Sequence, residues 1–281
     1  GVKLGLLTTQ GFEDVLEMAR LKMPRYHNLY ARRPDPLVPR ERVFGIVERI
    51  RADGAVVAPV SRDSVLAACA AARAAGAEAI VVALLNAWRN DAHERAVEEI
   101  LAEVAPGLPV FRASGVWPII REYERTITAC VGGHVQPRVA HYLDRFEATL
   151  AGLGVPAAPR ITRSNGGVMG VRQAKAECVQ MILSGTASGV IGAGFIARQC
   201  GFPHLLTLDI GGTSADLAVL QDGEAQYGTG ETIGEFQIHI PSVSVTSIGQ
   251  GGGSIAWVDP FGVLQVGPRS AGSSPGPACY G

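Results

Sequence analysis

The stretch Asp209-Ile210-Gly211-Gly212-Thr213-Ser214-Ala215-Asp216 joins two apolar runs through a glycine turn, with a carboxylate at each end and hydroxyl residues between them. Leu205, Leu206, Thr207 and Leu208 before it read as a buried strand, and Leu217, Ala218, Val219 and Leu220 after it as the hairpin partner. Gly211 and Gly212 lack a Cβ, so their amides can approach an anion closely. Thr213 and Ser214 add hydroxyls, Asp209 can hold a divalent cation directly or through water, and Asp216 would brace the turn. The expectation is a strand-turn-strand grip for phosphate and its metal. The competing reading is plain hairpin punctuation, since Gly-Gly beside Asp or Ser is common in turns. The helix-opening G-x-x-x-x-G-K-[ST] loop is absent, which excludes a P-loop.

A chain of 281 residues, 47% hydrophobic, can bury one large core or two medium ones. Its net charge of −1 points neither to nucleic acid nor to an anionic membrane surface. No run of about 18 apolar residues would span a bilayer, and a cytoplasmic chain is expected. Cys69, Cys130, Cys178, Cys200 and Cys279 form no C-x-x-C pair, so they are read as reduced, mostly buried thiols rather than a disulfide or zinc framework. A strand at the first residues and a turn at the last suggest a piece of a longer polypeptide.

Of the 35 glycines, 10 lie in residues 1–150 and 25 in residues 151–281, which marks a change of architecture. The first part alternates strands and helices: a strand at 4–8, an alanine-rich helix at 64–75 stopped by Gly76, and a buried strand at 79–85. A helix at 91–104 follows, with Val97, Ile100, Leu101 and Val104 on one face, then a strand at 108–111. Strand-helix-strand order implies right-handed parallel crossovers. Residues 118–150 read as a long helical stretch that Pro137 kinks or divides. Residues 152–159 look like a linker. Beyond it come a short strand at 160–163, a helix at 188–200 and glycine-rich hairpins. The fold class expected is α/β: a parallel region at 1–150 and a glycine-rich β-hairpin lobe at 151–281.

Gly251-Gly252-Gly253 forms a second glycine loop, which could let a nucleotide or a second stretch of backbone approach closely, or could be a flexible loop or a tight sheet corner. Arg121, Glu124 and Arg125 share a helical face that could receive an anionic substrate, or could be an ordinary ion-paired surface. Asp91 and Glu94 resemble a capping box, leaving His93 as a first-turn residue. The histidines show no H-E-x-x-H spacing. Cys130 and Cys178 fit a core better than a nucleophile.

Taken in order, the motifs resemble the hydantoinase A / 5-oxoprolinase family, which includes a subunit of acetone carboxylases. The resemblance runs through Gly5-Leu6-Leu7-Thr8-Thr9, Gly11-Phe12-Glu13-Asp14-Val15-Leu16-Glu17 and Pro36-Leu37-Val38-Pro39-Arg40. It continues through the 121–126 segment, Ser164-Asn165-Gly166-Gly167, Ser184-Gly185, the 209–216 turn, Gly251-Gly252-Gly253-Ser254, Gly267-Pro268 and residues 275–281.

That resemblance implies a partial actin-like, ribonuclease-H-like ATPase fold, with residues 184–193 as the helix connecting the lobes and 209–216 as the second lobe's phosphate motif. It implies ATP and Mg²⁺ as cofactors, a small cyclic amide such as a hydantoin or 5-oxoproline as substrate, and a hydantoinase B-type subunit or domain as partner. An ATP-dependent carboxylase subunit and a non-catalytic actin-type nucleotide-binding module are the alternatives. Asp209 would be catalytic and hold the metal. Gly211, Gly212, Thr213, Ser214, Asp216, Gly251, Gly252 and Gly253 would bind nucleotide or phosphate, and Arg121, Glu124, Arg125 and Asn165 would face substrate. The family's first-lobe turn and adenosine motif fall outside this sequence, so the 281 residues alone are expected to be inactive. Thr186 and Ser188 stand where the family usually has Pro and Gly, Asn86 where a His is common, and Gly132-Gly133-His134 where Asn-Ala-Tyr is usual.

Overall fold

The structure is a computed structural model that describes residues 2–21, 27–233, 236–272, 274 and 276. The chain forms two compact units: the first comprises Gly1–Ile161, Met169–Gln180 and Thr229–Ile240, the second Thr162–Val168, Met181–Gly228 and Pro241–Gly281. Residues 275 and 277–281, with Cys279, lie outside the described residues. Among the described residues no helix is long and apolar enough to cross a membrane.

The first unit is mixed α/β around a parallel sheet. Its strands β1 (Leu4–Thr9), β2 (Val43–Ile46), β3 (Ala79–Ala83) and β4 (Val110–Arg112) lie in the order β2-β1-β3-β4, and every pairing is parallel. All residues of β1 and β3 are buried, as expected of central strands covered on both faces. Helix α1 (Arg62–Ala74) starts at Ser61, whose side chain accepts a hydrogen bond from Ser64 N at 3.3 Å, and stops before Gly76 at φ +81. With α2 (Ala92–Val104) it supplies Val65, Ala72, Val97 and Leu101 to a core with Leu7, Ile80 and Val82. The predicted face of α2 is buried at Val97 and Leu101, while Val104 is exposed.

Helix α3 (Glu122–Gly152) covers the other sheet face as one helix of 31 residues. Pro137 therefore does not divide it. One missing N–H bond is tolerated where a long buried face holds the helix down: Ile127, Ala129 and Cys130 are buried, and a Cβ on Gly133 would lie 3.0 Å from Phe111 and 3.3 Å from Leu4. A hairpin of Glu231–Ile233 with Phe236–Ile238 packs on the same helix, where His239 N donates to Thr128 Oγ1 at 2.9 Å.

The capping-box reading of Glu94 does not hold. Asp91 makes no side-chain cap and pairs with Arg95 and Arg112 instead, while Glu94 is wholly buried. Its carboxylate accepts from Leu84 N at 3.0 Å, Ser114 N at 2.8 Å and Ser114 Oγ at 2.5 Å, tying the end of β3 to the segment after β4. Burial pushes the Glu94 carboxyl above its ordinary range, against the pull of these donors. Because the folded value is raised, its contribution to stability is present at low pH and is lost as pH rises through the raised value. Glu94→Ala would strand two buried backbone donors and should lower the unfolding free energy by about 2–4 kcal/mol in urea denaturation; a loss under about 0.5 kcal/mol would show that the ends of the strands are held some other way.

In the second unit, α4 (Ser184–Cys200) packs on an antiparallel sheet. Strand β6 (Ala215–Gln221) pairs with β5 (Leu205–Ile210) along one side, and with β7 (Glu224–Ala225) and β8 (Thr246–Ile248) along the other. The β6–β7 connection is Asp222-Gly223 with both φ positive, the backbone a two-residue hairpin requires. A small core of Ala187, Val190, Ala218, Leu220, Ala225 and Val243 joins helix to sheet. Gly194 permits the close approach, since a Cβ there would lie 2.7 Å from Leu220 Cδ2. The strand at 205–208 is buried on one face alone. Leu205 faces α4, whereas Leu206, Leu208 and Ile210 are 57–62% exposed on the other face. The remaining hairpin is β9 (Ser254–Val258) with β10 (Leu264–Ser270).

Candidate functional site

The register of β5 and β6 places Asp209 directly opposite Asp216, with Ile210 opposite Ala215. Side chains at facing positions lie on the same side of a sheet. This pair therefore shares a face with Leu205 and Leu220, the face packed on α4. Asp209, Asp216 and Thr207 line a cleft of 240 Å³ with Thr186, Gly189, Val190 and Ala193 of α4. Thr186 Oγ1 donates to Asp216 Oδ2 at 3.0 Å.

The turn between the aspartates is closed by Gly211 N donating to Ser214 O at 2.9 Å. The second glycine loop then docks on it, backbone against backbone: Gly252 N donates to Gly211 O at 2.9 Å and Gly253 N to Gly212 O at 2.7 Å. A Cβ on Gly251 would sit 2.6 Å from Gly211 O and 2.7 Å from Ser214 N, and one on Gly253 would sit 2.9 Å from Gly212 O. Of the roles open to this loop, close approach of a second backbone is the one seen. Gly251 N is likewise committed, to Ser254 Oγ at 2.9 Å. The three glycines thus shape the turn and offer no amide of their own.

Planar trans peptides put each carbonyl opposite the next residue's N–H. With the Gly211 and Gly212 carbonyls drawn toward the glycine loop, the amides of Gly212 and Thr213 point away from it. Neither of these amides has a hydrogen-bond partner among the described residues, and a Cβ on Gly212 would meet nothing within 4 Å. Two adjacent amides of this kind, beside hydroxyls, suit an anion such as a phosphate oxygen. Gly211, by contrast, contributes turn geometry rather than a donor.

Among the described residues no group of three or more His, Cys, Asp or Glu side chains could form a metal cage. The oxygen donors of Asp209 and Asp216 nevertheless fit Mg²⁺, which is commonly held by one or two carboxylates together with substrate phosphates and water.

The remaining sequence candidates are dispersed. Arg125 turns inward rather than sharing a face with Arg121. It is 1% exposed and donates to Ile119 O at 2.6 Å and Leu84 O at 2.7 Å, and burial lowers its pKa. Glu124 pairs with Arg20 at 2.7 Å and stands 4.0 Å from Arg121, which is 58% exposed. Asn165 Oδ1 accepts from Gly167 N at 3.0 Å within its own turn. Burial pushes the thiols up, to about 12 for Cys130 and about 11 for Cys178, so neither supplies a thiolate near neutral pH. Cys69 is also buried and Cys200 is exposed. Sequence reasoning missed Thr186 as a partner of Asp216. It also missed a buried set in the first unit, where His93 Nδ1 lies 2.6 Å from Glu48 Oε2 and Thr9 Oγ1 bonds the other Glu48 oxygen.

The hydantoinase/oxoprolinase family model matches residues 125–281, and the model of the family's N-terminal region matches residues 1–105. This chain belongs to the hydantoinase/oxoprolinase family. It is 37% identical to the caprolactamase subunit alpha of Pseudomonas jessenii, over 100% of this chain and 41% of that protein. Among solved structures, the ATP-dependent caprolactamase from Pseudomonas jessenii matches with a TM-score of 0.83 at 33% identity, covering 100% of this chain and 41% of that one. A nucleotide-free acetone carboxylase matches with a TM-score of 0.81 at 31% identity, covering 97% and 40%. The chain thus spans about two fifths of the length of these relatives.

In this family member the backbone contact between the glycine loops is open to a direct test. Gly251→Ala should displace the loop and cost about 1–3 kcal/mol of stability. Gly249→Ala, whose Cβ would meet nothing within 4 Å, should cost far less. Thermal melts of both variants, with hydrogen exchange across residues 209–216, decide it; equal effects at both positions would mean that the contact does not hold the turn.

Proposed function

We propose that this chain supplies the phosphate-handling part of an ATP-dependent enzyme that opens a cyclic amide of the lactam, hydantoin or 5-oxoproline type. The observation carrying this reading is the pair of outward amides, Gly212 and Thr213, set between the facing carboxylates Asp209 and Asp216. The match to an ATP-dependent caprolactamase supports both the nucleotide and the substrate class. The second unit, with its hairpin, cleft and helix α4, is read as the phosphate lobe of an actin-like ATPase.

Amides resist hydrolysis because the carbonyl carbon is a poor electrophile. Transfer of the γ-phosphoryl group to the amide oxygen, with ADP leaving, would make that carbon attackable by water; the ring C–N bond would then open to leave an acyl phosphate, which a second water would hydrolyse to carboxylate and phosphate. In such a transfer the protein mainly positions and stabilises charge. The Gly212 and Thr213 amides would hold phosphate oxygens, the Thr213 and Ser214 hydroxyls would add donors, and Asp209 would hold Mg²⁺ with Asp216 beside it. The cation supplies neutralisation of the charge on the phosphates. The substrate-activating chemistry is assigned to the whole protein acting with a hydantoinase B-type subunit or domain.

An ATP-dependent carboxylase is the second reading, favoured by the acetone carboxylase match; there a ketone or bicarbonate would receive the phosphoryl group. The experiment is ATP turnover by the full-length protein with its partner subunit, given lactams, hydantoin and 5-oxoproline in one series and ketones with bicarbonate in another. Stimulation by a cyclic amide with ring-opened product is the expected outcome, and stimulation by ketone plus bicarbonate alone would replace the first reading with the second. In the same assay Asp209→Asn should lower turnover by at least about a hundredfold while the protein stays folded. Near-normal turnover in a folded Asp209→Asn protein would remove Asp209 from the reaction.

A further inference from the structure

The facing carboxylates of the second unit are not equivalent. Asp209 is exposed and has no hydrogen bond or ion pair among the described residues, whereas Asp216 is half-buried and accepts from Thr186 Oγ1 at 3.0 Å. Thr186 is held firmly, because the next residue, Ala187, is 2% exposed in the core that joins α4 to the sheet. Leu183, just before the helix, adopts a left-handed φ of 59° and accepts Ala187 N at 3.0 Å, which fixes the entry of α4.

Like charges at directly opposed sheet positions repel. Without a restraint, the two side chains would swing apart or compete for the same proton or cation. A hydroxyl donated from α4 removes that symmetry. We propose that Thr186 is a positioning residue: it fixes the Asp216 carboxylate and leaves Asp209 as the one that meets the cation accompanying a phosphate. The proposal rests on the reading of the 209–216 turn as a nucleotide-phosphate site. It also couples that site to the start of α4, since a shift of the helix changes whether Asp216 is held. A proline at residue 186, having neither hydroxyl nor N–H, could not make this bond, so the restraint belongs to chains that carry threonine or serine there.

The test uses the full-length enzyme with its partner subunit and compares Thr186→Val, which keeps the shape but loses the donor, with Thr186→Ser, which keeps the donor. Mn²⁺ binding in the presence of a non-hydrolysable ATP analogue, followed by electron paramagnetic resonance, is read beside the KM and kcat for ATP. Thr186→Val should weaken Mn²⁺ binding and raise KM by about tenfold, the scale of losing one hydrogen bond to a charged group, with kcat changed much less. Thr186→Ser should restore wild-type values. In an Asp216→Asn background, Thr186→Val should add no comparable loss, because the bond it removes is already weakened. Wild-type Mn²⁺ affinity in Thr186→Val, or an undiminished loss in the Asp216→Asn background, would overturn the role given to Thr186. If Asp209→Asn retains full ATP turnover, the reading of the turn itself falls; if Asp209→Asn is inactive and Thr186→Val is normal, only the positioning role does.

Discussion

Two backbone hydrogen bonds, from Gly252 N to Gly211 O and from Gly253 N to Gly212 O, set the form of the candidate site. They act through peptide planarity: a carbonyl held on one side turns the following amide to the other. The contact needs glycine, because a Cβ at 251 or 253 would press into the carbonyls it is meant to meet. A turn that looks like an isolated hairpin loop is therefore supported by a segment some 40 residues further along, and Ala271 N, donating to Gly253 O at 2.7 Å, anchors that segment in turn.

The first unit meets a different backbone problem, at the carboxyl ends of its parallel strands. There the ladder stops and buried peptide groups need other partners. Side chains provide them around the end of β3: Glu94 receives Leu84 N, Arg125 donates to Leu84 O, and Thr9 Oγ1 receives Leu85 N at 3.0 Å. This explains how two charged residues can be almost fully buried. Arg125 lies near Glu94 and Glu122, and each charged head answers a backbone group that would otherwise be unpaired. Such groups hold the end of the sheet, a role that removes Arg125 from the set of residues able to greet a substrate.

The parts of this architecture written in short-range patterns were legible in the sequence. Continuous apolar runs announced β1 and β3, period 3.6 announced α2, and Gly76 marked the end of α1. The strand-turn-strand character of 205–220 followed from the same logic. What stayed hidden depends on partners far apart in the chain. Glu94 three residues after Asp91 satisfies the capping pattern, yet it is drawn inward by Ser114, 20 residues away. Arg121 and Arg125 have the spacing of a shared surface face, but Arg125 finds carbonyls inside. Leu206 and Leu208 read as core because hydrophobicity alone cannot tell a strand covered on one face from one covered on both. Likewise, a run of glycines states that something approaches closely and not whether it is ligand or backbone.

The electrostatics of the cleft bear on how the turn could work at all. Among the described residues no lysine or arginine lines it, and two aspartates do. Two amide donors contribute only about a kilocalorie each, net of water, while a phosphate brought near two carboxylates meets repulsion from both. If the turn binds an anion as proposed, positive charge would have to come with it, and a divalent cation held jointly by carboxylate and phosphate would supply that charge. On the proposed reading the carboxylates, which look misplaced beside a phosphate grip, would act as a filter, repelling a bare anion and accepting one that already carries its metal. On that reading the restraint on Asp216 would matter, because a filter of two carboxylates discriminates only if their separation is held.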